Sequence, residues 1–291
     1  MKKETHFPVE ESTSLLDFLL SHVEGQSRNN VKHLLSRGQV LVDNVPQRQF
    51  DHPLSPGQTV TVLPHAKGAV LPFPLLYEDG DLLVIHKPAG LLSVSTDTQK
   101  NRTAYRLTAD YLRARDPRAR LFVVHRLDRD TSGVLLFSKE PGLKEALQKD
   151  WNSRAKKRGY WAVVEGEDLP DNGVCRSQLI ENKLHRVYSS TDSQGKEAIT
   201  RYTVLARKKG YSLLELELDT GRKNQIRAHL AELGHPVAGD AKYGARTDPM
   251  ARLGLHAYQL SLIDPRSEKL LSFTAPPPDE FRRMFPRQFS F

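Results

Sequence analysis

An α+β fold on a largely antiparallel mixed sheet with a central cleft, preceded by a small α/β module, is what this sequence predicts. Three observations point there. Short alternating or apolar runs fall in adjacent pairs, helical periods are few, and the regular strand–helix alternation of a doubly wound sheet is missing. Residues 64–75, PHAKGAVLPFPL, carry three prolines and one glycine and no period. They read as a stiff linker and divide the chain into a module at 1–65, a linker at 66–75 and a domain at 76–291.

At 291 residues, the chain has length for one large domain and a small one. Lysine and arginine exceed aspartate and glutamate by 43 to 35, a net +8, which favours a polyanionic partner. The single cysteine, Cys175, excludes an intrachain disulfide and suits a reducing compartment. The start, MKKETHFPVEES, lacks the apolar run of a secretory signal, and no window has the length of a membrane span. A soluble, cytoplasmic monomer is the expectation.

Within the module, Thr13 or Ser14 can cap a helix through LLDFLLSH. A second helix, Arg28 to Ser36, sets Val31, Leu34 and Leu35 on one face and Arg28 and Lys32 on another, and Gly38 stops it. QVLVD and TVTVL alternate as strands, with a turn at Asp43-Asn44 and Pro56-Gly57 leading into the second.

The larger domain opens with a turn at Asp79-Gly80-Asp81 and a buried strand, Leu82 to Ile85. Pro88 and Gly90 then force a bend beside Lys87, a residue that reads on its own as a strand-end lysine in solvent. Helices are expected at 103–114 and 141–152, with a basic turn, RARDPRAR, between the first and the next strand. Leu121 to Val124 and Val134 to Phe137 are apolar strands flanking a polar loop, His125 to Gly133, held rigidly between them. In that loop Arg126 and Arg129 neighbour Asp128, and an arginine beside a desolvated carboxylate keeps it ionised, as a nucleophile or general base requires. RAKKRGYWAVVEG runs from a basic cluster into a strand bearing Tyr160. Residues 167–195 read as polar loop with a weak hairpin. EAITRYTVLAR and YSLLELEL pair across Lys208-Lys209-Gly210. Gly221 opens a helix of about Asn224 to Leu233 with Ile226, Leu230 and Leu233 facing the core. LGLHAYQLSL and a strand stopped by three prolines close the chain.

HRLDRDTSG (125–133) resembles the signature loop of the RluA-type pseudouridine synthases, H-R-L-D-x-x-T-S-G, with every fixed position filled. The same resemblance continues in YEDGDLLVIHKPAG, in Arg158-Gly159-Tyr160, in TGRKNQIRAHL with the later HPVAGDAKYG, and in LGLHA, so that it spans 76–278. Lys223-Asn224 stands where Thr-His is commoner. Residues 12–63 resemble the S-four-type RNA-binding module. A protein-kinase reading of H-R-x-D lacks its companion motifs, and a metal reading of His125 and Asp128 lacks further ligands.

The resemblance implies isomerisation of uridine to pseudouridine in structured RNA, ribosomal RNA first and transfer RNA second, with no cofactor and no metal. It implies Asp128 as the essential carboxylate, attacking sugar or ring or taking a sugar proton. Arg227 would pair with it, and Tyr160 would stack on or hydrogen-bond the base. His125, Arg126, Leu127, Arg222, Gln225 and Leu255 would bind substrate, Arg126 filling the gap left by a flipped base. In the module, Arg28, Lys32 and Arg37 would meet RNA phosphates. Two rivals stand beside this: a non-catalytic RNA-binding or ribosome-assembly factor, which leaves the Asp128 loop without a purpose, and a small-molecule hydrolase, which leaves the module without one.

Overall fold

Strand formers dominate the computed structural model, which describes residues 5–23, 25–36, 38–63, 71–96, 102–183, 185–190 and 195–289. The chain divides into two units, Met1–Leu71 with Thr108–Arg120, and Pro72–Leu107 with Leu121–Phe291. Half of the expected linker, residues 66–70, lies outside the described residues, as does Arg37.

The first unit holds β1 (Thr5–Pro8), β2 (Thr13–Ser14), α1 (Leu15–His22), α2 (Arg28–Ser36), β3 (Val40–Val42), β4 (Val45–Pro46), β5 (Pro53–Leu54) and β6 (Thr59–Val62). Ser14 caps α1, its Oγ accepting from the Asp17 N–H at 3.2 Å. Leu15, Leu19, Val31 and Leu35 bury one face of the helix pair on Val40 and Val60. Asp43 and Asn44 both take positive φ, 50° and 67°, which lets β3 and β4 meet in a tight hairpin. The sheet runs β1-β6-β3-β4. Strand β1 was not foreseen, because four residues at a chain start carry no readable period.

The second unit contains β7 (Leu75–Glu78), β8 (Leu82–Lys87), the start of α3 (Ala104–Arg115), β9 (Phe122–Val123), β10 (Ser132–Ser138), α4 (Pro141–Lys149), α5 (Trp151–Arg154) and β11 (Ala155–Glu165). After these come β12 (Asn172–Glu181), β13 (Val187–Ser190), β14 (Lys196–Lys208), β15 (Tyr211–Leu218), α6 (Gln225–Glu232), β16 (Leu255–Ile263), β17 (Leu270–Thr274) and α7 (Asp279–Met284). The strands form one eleven-stranded sheet ordered β13-β12-β14-β15-β11-β16-β10-β8-β7, with β17 also on β16 and β9 on β10. Its pairs are antiparallel except β10 with β16, where Ser132 and Gly133 lie opposite His256 and Ala257. Further along, Gln259 to Ile263 pair with β17 instead. The sheet therefore forks at β16. Gly133 makes the fork possible: at φ 126°, a Cβ there would lie 2.1 Å from the Ala257 carbonyl oxygen.

The α+β, mainly antiparallel expectation matches this architecture. Four details differ. The helix expected at 141–152 is two helices, because the chain turns out of helical geometry at Asp150 (ψ 29°). The polar loop with a weak hairpin expected at 167–195 is a hairpin of β12 with β13, but β12 runs ten residues and pairs with β14 as well. Leu233, expected in the core, is 43% exposed at the C-cap of α6, while Ile226 and Leu230 are buried. A last helix, α7, follows the three prolines and buries Phe281 against Trp161 and Phe289 in one cluster.

Candidate active site

The loop from His125 to Thr131 is short of regular structure, so its shape has to come from side-chain anchors. Ser93 holds Leu127 twice, accepting from its N–H at 3.0 Å and donating to its carbonyl at 2.7 Å. At the far end, Arg252 Nη2 donates to Ser132 Oγ at 2.6 Å, and that hydroxyl donates to His256 Nδ1 at 2.8 Å. His256 is fully buried, and burial pulls its pKa down to about 3. The neutral ring thus accepts at Nδ1 and turns its Nε2–H toward the Ala275 carbonyl, 3.4 Å away.

Lys87 supplies the third anchor and corrects the expectation of a solvent lysine. Its side chain is fully buried, and Nζ donates to the carbonyls of Pro88 (2.9 Å), Leu91 (2.7 Å) and Arg129 (2.9 Å). Burial lowers its pKa to about 7, partly countered by Asp130 and Asp128. Three carbonyl acceptors match the three donors of an ammonium, so the loop after β8 and the Asp128 loop are tied through one group.

Asp128 sits between these anchors. Among the described residues its carboxylate has no hydrogen-bond or ion-pair partner. Burial pushes its pKa above the ordinary carboxylate value, and the opposing cations, led by Arg227 and followed by Arg126 and Lys87, hold it back. The expected direct pairing of Arg227 with Asp128 is not present. The guanidinium is instead bidentate on Asp240, Nε to Oδ2 at 2.6 Å and Nη2 to Oδ1 at 2.7 Å, and Nη1 reaches Asn224 Oδ1 at 3.1 Å. Asp240 presents two oxygens to a planar fork, a geometry that outcompetes a single more distant carboxylate. Arg227 acts on Asp128 through its field. Asp240 was missed as a site residue, although GDAKYG was quoted as a motif. The signal available was a lone acid soon after a helix whose arginine needed a partner.

One cavity of about 90 Å³ collects Arg126, Leu127, Asp128, Tyr160, Arg222, Gln225, Arg227 and Leu255. Loop, strand β11 and helix α6 therefore meet as the sequence led us to expect. Burial raises the Tyr160 pKa to about 12, so its hydroxyl is a neutral donor beside Asp128. The Gln225 amide is already engaged: Nε2 donates to Ile199 O and Thr200 Oγ1, both at 2.9 Å, and Oε1 accepts from Thr220 Oγ1 and the Arg222 N–H. It braces the turn that presents Arg222. His125 does not reach this cavity. Its Nε2 accepts from the Leu136 N–H at 3.1 Å, its ring stacks on Trp151, and burial lowers its pKa to about 4.

In the first unit, Arg28 is exposed and lies 3.9 Å from Asp17, and Lys32 sits 5.1 Å above the exposed Phe50 ring. Among the described residues no group of three or more His, Cys, Asp or Glu side chains could hold a metal ion, and no helix is long and apolar enough to cross a membrane.

Comparison with known proteins adds the family. Residues 81–232 match the RNA pseudouridylate synthase family. An uncharacterised RNA pseudouridine synthase of Bacillus subtilis, YhcT, is 34% identical over 218 residues, covering 74% of this chain and 72% of that one. Ribosomal large subunit pseudouridine synthase D of Nitrosomonas europaea is 36% identical over 234 residues, covering 77% and 67%. Among solved structures, human RNA pseudouridylate synthase domain containing 1 aligns at 26% identity with a TM-score of 0.57, covering 72% of this chain and 86% of that one.

Proposed function

The chain belongs to the RNA pseudouridylate synthase family, and on that footing we propose that it converts uridine to pseudouridine in large-subunit ribosomal RNA, with Asp128 as the essential carboxylate. In this isomerisation the N1–C1′ bond of the nucleotide breaks, the detached base turns, and C5 bonds to C1′. The C5 proton leaves and a proton returns to N1, so nothing is consumed. The observation that carries the reading is a carboxylate with no hydrogen-bond or ion-pair partner among the described residues, facing a cavity walled by Tyr160, Leu255 and Arg227. A carboxylate kept free of direct ion pairs stays available to the substrate, while surrounding cations keep it ionisable.

Tyr160 offers the base a flat face and a hydroxyl, Leu255 an apolar wall, and Arg222 and Arg126 positive charge for the backbone. Bringing a paired uridine to Asp128 means extruding it, at a cost of about a few kcal/mol. Arg126, exposed at the cavity mouth, fills the vacated stack. The relatives named as large-subunit synthases support ribosomal RNA as the substrate. Residues 1–65 act as an S-four-type module that adds RNA affinity through Arg28 and Lys32, and residues 76–291 carry the chemistry.

The test is Asp128→Asn, assayed by single turnover on unmodified large-subunit ribosomal RNA and by thermal melting. Turnover should vanish while RNA binding persists. The raised pKa fixes the sign of the stability change. A carboxyl group with a folded-state value above its unfolded one stabilises the fold below the unfolded pKa and loses that contribution as pH rises through the folded value. At neutral pH the variant should therefore melt no lower than the wild type. Pseudouridine made by a folded Asp128→Asn protein would overturn the assignment.

A further inference from the structure

A second cavity, roomier than the one over Asp128, lies beside it. It measures about 230 Å³, and the two share Arg126, Leu127, Tyr160, Leu218 and Gly221 as a common wall. The rest of its lining divides into three kinds of surface. Val124, Val134 and Leu260 make an apolar floor from the sheet. Trp151 and His125, stacked with ring centres 5.1 Å apart and planes 20° from parallel, make one side. Arg158 and Gln259 supply the polar atoms.

Those polar atoms do not suit a phosphate. Arg158 spends Nε on the Leu218 carbonyl (3.0 Å) and Nη2 on the Asp219 carbonyl (2.6 Å), which leaves Nη1 with only a long contact of 3.4 Å to Asn152 Oδ1. Gln259 uses Nε2 on Ser261 and Ser272 at 3.3 and 3.2 Å, so its Oε1 is the atom left to accept. The spare N–H groups of Arg158 and the spare acceptor of Gln259, between an aromatic pair and a flat phenol, match the edge of a nucleobase, which offers both polarities and two π-faces.

We propose that this cavity receives a second nucleobase, the immediate neighbour of the target uridine. The inference rests on the function proposed above and deepens it: the enzyme extrudes and reads two consecutive nucleotides. The shared wall makes the two spaces immediate neighbours. Trp151 and Gln259 become specificity-determining residues that touch no reacting atom.

Two measurements test this. Trp151 and Trp161 are the only tryptophans, so in a Trp161→Phe background Trp151 alone reports fluorescence. Titration with a random-sequence ten-nucleotide RNA pool should quench it saturably, and Gln259→Leu should weaken that quenching. RNA retained on a filter without quenching, or no retention at all, would overturn the proposal. The second measurement uses a short RNA bearing a uridine that the wild type modifies, with the nucleotide on one side or the other made abasic. One abasic position should lower kcat/KM at least about tenfold. Gln259→Leu should lower it on the intact RNA, and the two losses should not add, since both remove one contact. Additive losses, or none at either abasic position, would sink the second subsite. Saturable quenching by a protein that forms no pseudouridine on any RNA would refute the proposed function and leave the nucleobase cavity standing.

Discussion

Asp240 decides how Arg227 can behave. Its side chain is 1% exposed and that of Arg227 is 11%, so the pair is shielded from water and locked by two parallel hydrogen bonds. Asp240→Asn should strand a buried guanidinium and cost about 3–5 kcal/mol of stability, read by urea unfolding. A loss under about 1 kcal/mol would show that solvent reaches the pair and that the geometry is looser than described. Single residues were legible in the sequence only where a motif spoke for them. Asp128, Tyr160, Arg227 and Leu255 were named and do share a cavity. Lys87 was misjudged because a lysine at a strand end is ordinarily wet, and nothing local discloses that three carbonyls converge on it. Arg158 was read both in a basic run and as the basic position of the Arg158-Gly159-Tyr160 motif, but neither reading disclosed that it is 7% exposed and bonded to the carbonyls of Leu218 and Asp219.

Elements were more readable than residues. Helix α2 falls on the expected Arg28–Ser36, and the β14–β15 turn sits at Lys209 and Gly210, both with positive φ. Both carry their own punctuation, an amphipathic face in one and turn chemistry in the other. The fork at β16 had no such mark, because it depends on a parallel pairing between segments more than a hundred residues apart. Gly133 is where that pairing can be attacked. Gly133→Ala would drive a methyl group into the Ala257 backbone, and neither strand can retreat without opening the loop's anchor at Ser132. Destabilisation above about 4 kcal/mol, or failure to fold, is expected from chemical denaturation. Gly80→Ala, where a Cβ meets nothing within 4 Å, is the control and should stay within about 0.5 kcal/mol. Comparable melting of the two variants would contradict the forked sheet.

At the scale of the molecule, charge is uneven along the chain. Residues 1–63 contain six lysines and arginines against seven acids, so the basic excess lies beyond them. RNA affinity should fall steeply with salt. If about five phosphates are neutralised, the log–log slope should be near −3.5, at about −0.7 per contact on single strands. A flat response in filter binding would remove the electrostatic part of the proposal. The sequence was divided at the prolines of 66–75, and nothing in it marked Thr108–Arg120 as belonging with residues 1–71. A helix whose residues belong to two units looks, in sequence, like any other helix.

The ammonium of Lys87 has a further consequence, in time rather than space. An amine whose pKa is pulled down to about 7 by burial is more nucleophilic than an ordinary lysine in neutral buffer, yet its side chain is fully buried. It can be acylated only in the moments when the loops around it part. Under excess acetic anhydride or a milder acylating ester, mass spectrometry of the peptide containing Lys87 should show slow, single-exponential labelling while surface lysines react at once. Where the rate no longer rises with reagent concentration, it is the opening frequency of the loops around Lys87. Labelling of Lys87 as fast as the surface lysines would mean that the loop is not held shut at all.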